Sequence, residues 1–289
     1  MLSESKILDG KKLADKLNFE LKKEIEFLVK KTNVIPTLAT VLVGVNPASK
    51  IYVKIKHRTS DEVGINSVQV TLPEDCSKET LNEELDKLNK NNSIHGILLQ
   101  LPLPGNLREY TSEFLTQISP QKDVDGFHPI NRGKLFDYDE ELAPCTPKGI
   151  IALLKYNDVA LKGKDIVIVN RSNLVGKPLL FMFLKRNATV SICHTSTKDI
   201  NSYLKKADII VVAVGQAKFL TPDKIKQGAI IIDAGINRVE NKIIGDVDFE
   251  NIIDKAGKIT PVPGGVGPMT VSFLLQNTII AYKKQLKLD

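Results

Sequence analysis

Apolar residues along the first half of the chain follow two spacings in turn. Between residues 11 and 30 they recur every three or four positions, which predicts one face of a helix. The run TLATVLVGV, residues 37–45, is almost continuously apolar and predicts a buried strand that ends at Gly44. The same order then repeats. We predict helices over residues 48–63 and 78–89, and strands over residues 68–72 and 96–101.

A second α/β pattern starts near Thr146, where Pro147 opens a helix. Strands are predicted over residues 165–170, 189–193, 209–214 and 229–233, and helices over residues 178–185 and 270–287. Near-continuous apolar strands between helices are typical of parallel sheets covered on both faces. We therefore predict an α/β fold with two α/β domains, the second a Rossmann-like parallel sheet.

The predicted domains are residues 1–143 and 144–269, with a terminal helix over residues 270–289 that packs back on the first domain. A length of 289 residues suits two domains of ordinary size. The 42% hydrophobic and 26% charged residues are typical of a globular protein. We find neither an internal repeat nor a low-complexity segment.

The net charge of +6 points to anionic ligands or to lysines spread over solvated helical faces. The charge also allows the hypothesis of a nucleic-acid-binding protein. However, Trp is absent and aromatic residues make up only 6%, which argues against a surface on which bases stack. Three scattered cysteines give no metal-ligand spacing and suit a reducing compartment. No apolar run is long enough to span a bilayer and no signal-peptide core is present, so we expect a cytoplasmic protein without metal.

Ser49, Tyr52 and Lys56 share one face of the helix that follows the first strand, because they are three and four residues apart. Open α/β sheets bind ligands at the carboxyl ends of their strands, where this helix begins. A partly desolvated lysine there can act as a general acid or base. The alternative is an ordinary amphipathic helix with exposed lysines, since Lys50 and Lys54 alternate with Lys56.

Two further runs, GILLQL and KDVDGF, contain polar residues that are candidates for ligand contacts. Gln100 ends an apolar strand, so it is either turned to solvent or hydrogen-bonded within a cleft. Asp123 and Asp125 precede Gly126, which is compatible with a plain turn or with a carboxylate that holds the N–H edge of a ligand.

The strand DIVIVN runs through RSNLVGKP into a helix, the setting in which helix N–H groups meet a pyrophosphate. Only Gly176 remains of the usual three-glycine pattern, so a Rossmann-like domain that binds nothing is the alternative. The next strand ends in His194, Thr195 and Ser196 rather than in an acid. With Arg171 near the expected adenosine ribose, this pattern favours NADP over NAD.

The run TPVPGGVGPMT, residues 260–270, is rich in proline and glycine yet apolar. We predict that it is neither a helix interior nor a central strand, and that its bare backbone lets a flat ligand approach. A buried structural turn is the alternative.

These segments together resemble one family, the bifunctional methylenetetrahydrofolate dehydrogenase/methenyltetrahydrofolate cyclohydrolases. The resemblance spans nearly the whole chain in the family's order. The matching runs are ILDGK, VGVNPASKIYVKIK, GILLQLPLP, KDVDGFHPIN, PCTPKG, RSNLVGKP, IIDAGIN, GDVDF and TPVPGGVGPMT.

The resemblance implies a folate cleft between the two domains and two reactions in it. NADP⁺ takes hydride from 5,10-methylenetetrahydrofolate, and water then converts the methenyl cation to 10-formyltetrahydrofolate. It also implies a homodimer that acts on tetrahydrofolate derivatives in one-carbon metabolism and purine biosynthesis.

By resemblance, Lys56 is the general acid/base of hydrolysis, Tyr52 stacks on the folate, Gln100 hydrogen-bonds Lys56, and Asp125 holds the amino edge of the pterin. The other expected substrate contacts are Ser49, Leu99, Leu101, Pro263, Gly264, Gly265, Val266 and Gly267. The expected cofactor contacts are Asn170, Arg171, Ser172, Thr195 and Ile236.

One position departs from the family pattern, because Asn170 stands where the family usually has glycine. Asparagine tolerates a positive φ better than most residues, so we expect the turn to survive. The alternative function is a cyclohydrolase whose dehydrogenase activity is weak or lost. A different Rossmann dehydrogenase that acts on a small carboxylic acid would leave the Pro/Gly loop unexplained.

Overall fold

The computed structural model describes residues 6–240 and 242–288, which divide into two compact units. The three-stranded unit comprises residues 16–134, 141–145 and 271–288. The five-stranded unit comprises residues 6–15, 135–140, 146–240 and 242–270. Two long helices have residues in both units: α1 (Gly10–Thr32) and α10 (Val266–Gln285).

The three-stranded unit has a parallel sheet with the order β2-β1-β3. Its strands are β1 (Thr37–Val43), β2 (Asn66–Leu72) and β3 (Gly96–Leu99). Every residue of β1 and β3 is buried, whereas the edge strand β2 is mostly half-buried or exposed. The further helices with residues here are α2 (Pro47–Val63), α3 (Lys78–Lys90), α4 (Thr111–Gln117), α5 (Pro129–Lys134) and the start of α6 (Cys145–Tyr156).

Local sequence signals fix the ends of α2. The Asn46 side chain accepts a hydrogen bond from the Ser49 N–H at 3.1 Å, and Pro47 occupies the first turn, where its missing N–H costs nothing. Gly64, with φ of 93°, ends the helix in the left-handed conformation that glycine adopts most easily. These two caps hold the helix over the carboxyl end of β1.

The five-stranded unit has a parallel sheet with the order β10-β7-β6-β4-β5. The strands are β4 (Asp165–Val169), β5 (Thr189–Cys193), β6 (Ile209–Val212), β7 (Ile230–Asp233) and β10 (Lys258–Ile259). A separate antiparallel pair is formed by β8 (Asn237–Val239) and β9 (Lys242–Ile244). The remaining helices are α7 (Gly176–Leu184), α8 (Ile200–Leu204) and α9 (Phe249–Ile252).

Both sheets change winding direction, which marks where ligands are expected. The chain passes from β4 to one side and then returns to β6 on the other side, so the switch point lies at the carboxyl ends of β4 and β6. In the smaller sheet the corresponding point lies at the ends of β1 and β3. The predicted fold class, two α/β domains with a Rossmann-like second sheet, is confirmed.

Two predicted boundaries are wrong in ways that matter for the site. The strand β3 ends at Leu99, so Gln100 follows the strand rather than closing it. The last helix begins at Val266 and not at Thr270, which places Val266, Gly267 and Pro268 in its first turn. Proline is tolerated there because the first N–H groups of a helix have no intrahelical partner. The short elements α4, α5, α8, α9, β8, β9 and β10 were not predicted.

Candidate active site

Lys56 lies at the edge of the buried face of α2. Ser49 is only 3% exposed, and Tyr52 and Lys56 are half-buried on the same side of the helix. Lys50 and Lys54, by contrast, are exposed. The structure thus distinguishes Lys56 from Lys50 and Lys54 by exposure, a distinction that the sequence alone did not allow.

The Lys56 ammonium donates a hydrogen bond to Gln100 Oε1 at 3.0 Å. Gln100 is itself held at both ends, because its backbone N–H donates to the Val41 carbonyl at 2.9 Å and its Nε2 donates to the Leu101 carbonyl at 2.7 Å. With the amide N–H group engaged elsewhere, the amide oxygen is the atom that faces the lysine. Gln100 therefore fixes the position of the amine without adding charge.

The two acids of KDVDGF have different surroundings. Asp123 is 2% exposed, and its carboxylate accepts hydrogen bonds from the Phe127 N–H at 3.1 Å, the His128 N–H at 2.8 Å and Asn131 Nδ2 at 2.8 Å. It is the structural acid of the turn. Gly126 adopts φ of +73° and leaves no room for a Cβ, which would lie 2.5 Å from the Ala143 backbone.

Asp125 is the acid that remains for chemistry. Burial raises the pKa of its carboxyl group to about 6; the nearby Lys56 lowers this pKa and the Asp123 charge raises it. Burial likewise raises the pKa of the Tyr52 hydroxyl group. A phenol and a carboxyl group of raised pKa thus belong to the same three-stranded unit as the Lys56 amine, and titratable groups of perturbed pKa are typical of catalytic sites.

Leu99 and Leu101 flank Gln100 at the carboxyl edge of this sheet. Leu99 is 1% exposed, so it belongs to the core, whereas Leu101 is half-buried. A cavity of about 340 Å³ opens at the same edge. Its lining includes Val43, Gly44, Asn46, Pro102, Leu103 and Arg108. Lys56 and Asp125 are not among the lining residues, so this cavity does not by itself define the catalytic site.

The glycines of the Pro/Gly run have three different surroundings. Gly264 adopts φ of +105°, and its carbonyl accepts the Lys11 N–H at 2.8 Å. Gly265 is buried against Gly10, where an added Cβ on Gly10 would lie 1.8 Å from the Gly265 oxygen. The backbone of Gly265 thus packs against another part of the chain, as the alternative interpretation of a buried structural turn predicted. Gly267 has open space around its Cα.

The apolar members of this run also differ in exposure. Pro263 is exposed, whereas Val266 is only 4% exposed and packs in the core at the start of α10. Of the five predicted substrate contacts here, Pro263 and Gly267 are therefore the exposed ones.

Asn170 organises the predicted cofactor loop through its side chain. Its Oδ1 accepts hydrogen bonds from the Ser172 N–H at 2.8 Å, the Ser172 hydroxyl at 2.7 Å and the Gly176 N–H at 3.0 Å. Its Nδ2 donates to the Ala213 carbonyl, across the switch point between β4 and β6. Asn170 is not among the residues with positive φ, so the expectation that it replaces glycine by tolerating that conformation is wrong.

Gly176 is the glycine that this loop requires. A Cβ at this position would lie 2.1 Å from the Asn170 carbonyl oxygen. The start of α7 therefore approaches the end of β4 as closely as the backbone allows, which is the packing role of the last glycine in dinucleotide-binding loops.

The other predicted cofactor residues are accessible. Arg171, Thr195 and Ile236 are exposed and Ser172 is half-buried. The loop after β5 is held by the His194 N–H, which donates to Thr197 Oγ1 at 2.9 Å, and by the Ser196 N–H, which donates to His194 Nδ1 at 3.2 Å. A cavity of about 630 Å³ adjoins this loop. Its lining includes His194, Ser196, Thr197, Lys198 and Tyr203, but neither Arg171 nor Thr195.

Two buried acids at the end of β7 and after β9, Asp233 and Asp246, were missed from the sequence. The available signal was an acid that closes the apolar run IIID and another that follows Gly245. Within residues 6–240 and 242–288, no group of three or more His, Cys, Asp or Glu side chains could hold a metal ion. None of the helices in this described part has the length and apolar character needed to cross a bilayer.

The fold and these residues define an α/β enzyme with a catalytic unit and a dinucleotide-binding unit. Family models also divide the chain into a catalytic domain and a dinucleotide-binding domain. The catalytic-domain model of tetrahydrofolate dehydrogenase/cyclohydrolase matches residues 8–125, and the NAD(P)-binding-domain model matches residues 144–286. The chain belongs to the tetrahydrofolate dehydrogenase/cyclohydrolase family.

Individual relatives agree over the full length. The bifunctional protein FolD of Methanosarcina acetivorans is 50% identical over 284 residues, which cover 98% of each chain. The crystal structure of FolD from Campylobacter jejuni is 46% identical with a TM-score of 0.92, covering 96% of this chain and 98% of that one. The Trypanosoma brucei enzyme, crystallised with NADP cofactor and an inhibitor, is 33% identical with a TM-score of 0.93, covering 97% and 98%.

Proposed function

We propose that the protein oxidises 5,10-methylenetetrahydrofolate with NADP⁺ and hydrolyses the methenyl product to 10-formyltetrahydrofolate. The predicted enzyme family, its two activities and the NADP cofactor are confirmed by the family models and the full-length relatives. No finding supports the alternative of a cyclohydrolase with weak or lost dehydrogenase activity. The remaining question is which residues perform each step.

The hydrogen bond between Lys56 and Gln100 is the observation that carries the residue assignment. Hydrolysis of a methenyl cation needs a base for the attacking water and an acid for the departing ring nitrogen, and one lysine can supply both in turn. A carboxylate beside the amine would hold its proton, whereas the neutral Gln100 amide holds only its position. We assign Lys56 as the general acid/base of the cyclohydrolase step.

The same neighbourhood suits a reduced pterin. A carboxylate at Asp125 can accept two N–H groups from the amino edge of the ring, and the half-buried Tyr52 ring offers a flat apolar surface. Ser49, Leu99 and Leu101 complete the proposed substrate contacts from this unit, and Pro263, Gly264, Gly265, Val266 and Gly267 are proposed from the Pro/Gly run. Gly265 and Val266 contribute as supports, because they are buried.

Hydride transfer needs no protein base, because the hydride passes directly from the methylene carbon to the nicotinamide ring. The protein's contribution is to bind and orient the coenzyme. We propose that Arg171, Ser172 and Thr195 contact the adenosine ribose and its 2′-phosphate, and that Ile236 contacts the coenzyme further along. Asn170 would act through the loop that it organises.

Further proposals concern the whole protein. We propose domains of residues 1–143 and 144–269; the family models, which match residues 8–125 and 144–286, support the division near residue 144. Residues 270–289 are proposed to pack back on the first domain, because Asn277 Nδ2 donates to the Val124 carbonyl at 2.8 Å. A cytoplasmic location is supported by the sparse, odd number of cysteines, three in 289 residues. The family resemblance supports a homodimer and a role in purine biosynthesis.

The test of the catalytic assignment is Lys56→Met, with Lys54→Met as the matched control on the same helix. We expect hydrolysis of methenyltetrahydrofolate to fall by about 10²–10⁴-fold in the first variant and to stay unchanged in the second. Thermal unfolding and NADPH binding verify that both variants fold. Hydrolysis at the wild-type rate in a folded Lys56→Met protein would refute the assignment.

A further inference from the structure

The Asp246 carboxylate is bound by the protein's own backbone at the end of β6. It accepts hydrogen bonds from three consecutive N–H groups, those of Val214 at 2.6 Å, Gly215 at 3.0 Å and Gln216 at 2.9 Å. Consecutive N–H groups of this kind form the concave anion-binding arrangement that many proteins use for phosphate. Here the anion is a side chain that is 0% exposed. The loop after β6 is therefore shaped around a buried carboxyl group of the protein itself.

A second buried acid holds Asp246 in place. The Asp233 carboxylate accepts hydrogen bonds from the backbone N–H groups of Gly235 at 2.9 Å, Asp246 at 3.0 Å and Val247 at 2.9 Å. Asn237 Nδ2 donates to Asp246 Oδ1 at 2.8 Å. The loop after β7 is thus tied to the loop after β6 through these two carboxylates.

The packing leaves this arrangement no freedom to shift. An added Cβ on Gly235 would lie 2.2 Å from the Asp246 carboxyl carbon, and one on Gly245 would lie 1.8 Å from an Asp233 oxygen. The two glycines are required because the carboxylates occupy the space where a side chain would be.

The two tied loops carry exposed apolar side chains at the ligand-binding edge of the sheet. Val214 is 38% exposed and Ile236 is 51% exposed, and both follow the carboxyl ends of neighbouring parallel strands, β6 and β7. Ligands of open α/β sheets bind outside this edge. An apolar surface at this place suits the face of a nicotinamide ring better than it suits a phosphate.

We propose that Asp246 is a positioning residue for hydride transfer, which fixes the Val214 and Ile236 loops as the seat of the nicotinamide ring. This inference rests on the proposed function, because it assumes that NADP binds at this edge. Asp246 does not touch the coenzyme in this account. It acts through the backbone that it holds, and Asp233 acts through Asp246.

Asp246→Asn tests the proposal with little change in side-chain volume. Oδ2 accepts from Val214 and Gly215, and Oδ1 accepts from Gln216 and Asn237, so either orientation of the new amide points an NH₂ group at two donors. We expect kcat for the dehydrogenase step to fall tenfold or more, because small displacements of reacting groups have large kinetic effects. Hydrolysis of methenyltetrahydrofolate, which involves no hydride, should stay within twofold of the wild type. The control is Asp254→Asn, an exposed acid of the same unit.

Two results would overturn the proposal: a folded Asp246→Asn protein with dehydrogenase kcat within twofold of the wild type, or loss of both activities by the same factor. If the variant does not fold, Asn237→Ala decides, since it removes one donor to Asp246 and leaves the three N–H contacts. A threefold or larger loss of kcat confined to the dehydrogenase supports the proposal, and unchanged kinetics overturn it. A wild-type protein without dehydrogenase activity would instead refute the proposed function.

Discussion

Replacing Asn170 with glycine would restore the residue that the family pattern usually has, yet the structure predicts weaker NADP⁺ binding. The substitution removes four hydrogen bonds, three accepted by Oδ1 and one donated by Nδ2. Water can replace the two contacts to half-buried Ser172. It cannot easily reach the buried Gly176 N–H, and the Ala213 carbonyl loses its partner across the switch point.

The expected loss of NADP⁺ affinity follows from the two hydrogen bonds that water does not replace, those of the Gly176 N–H and the Ala213 carbonyl. A net contribution of about 0.5–1.5 kcal/mol for each hydrogen bond gives about 1–3 kcal/mol. The added backbone freedom of glycine costs roughly 0.5–1 kcal/mol more. If the loop must be ordered when the coenzyme binds, at least about 1.4 kcal/mol of this total appears as lost affinity, which corresponds to a tenfold higher Kd.

NADPH fluorescence titration measures the affinity, and hydrolysis of methenyltetrahydrofolate verifies that the rest of the protein is intact. Asn173→Gly is the matched control, because Asn173 lies in the same loop but is exposed, and its Oδ1 accepts a hydrogen bond from the Lys177 ammonium at 2.8 Å. The control should stay within about twofold of the wild type. Tighter or unchanged NADPH binding by Asn170→Gly would show that the side-chain network does not order the loop.

Two more predictions concern single side chains. The folded-state pKa of Asp125, about 6, lies above its ordinary value of 3.8, so its ionisation destabilises the fold as pH rises from about 4 through 6. Asp125→Asn should therefore raise Tm at pH 7 but not below about pH 4. It should also remove the rise in folate KM that we expect of the wild type below about pH 6. Equal Tm at pH 7 would contradict this. Gly176→Ala should weaken NADPH binding and lower stability by about 1–3 kcal/mol through its clash with Asn170, whereas Gly105→Ala, in open space, should change neither.

The sequence predicted the architecture well because the signal there is local. Near-continuous apolar runs identified the central strands, and helical spacing identified α1, α2 and α3. The elements that were missed are short. They include α8 and β10, whose five and two residues are too few to show a period.

Side-chain roles were harder to predict because they depend on contacts far apart in the chain. Lys56 differs from Lys54 in being half-buried and in having Gln100, 44 residues later, beside it. The roles of Asp123 and Asp125 differ because the Asp123 carboxylate accepts hydrogen bonds from the N–H groups of residues 127 and 128. Neither fact has a local signal in composition or spacing.

The distribution of amides and carboxylates has a common physical logic. At each switch point a carboxamide directly follows one of the two strands that define it, Gln100 after β3 and Asn170 after β4. The Gln100 amide donates to a backbone carbonyl, and the Asn170 amide donates to a carbonyl and accepts from backbone N–H groups. A neutral amide can fix a loop or an amine without opposing a ligand's charge or holding a proton that must move. The carboxyl groups of Asp123 and Asp246 are buried and accept hydrogen bonds from backbone N–H groups. Exchanging the two types would put a carboxylate beside the groups proposed for chemistry or would leave buried N–H donors facing an amide NH₂ group.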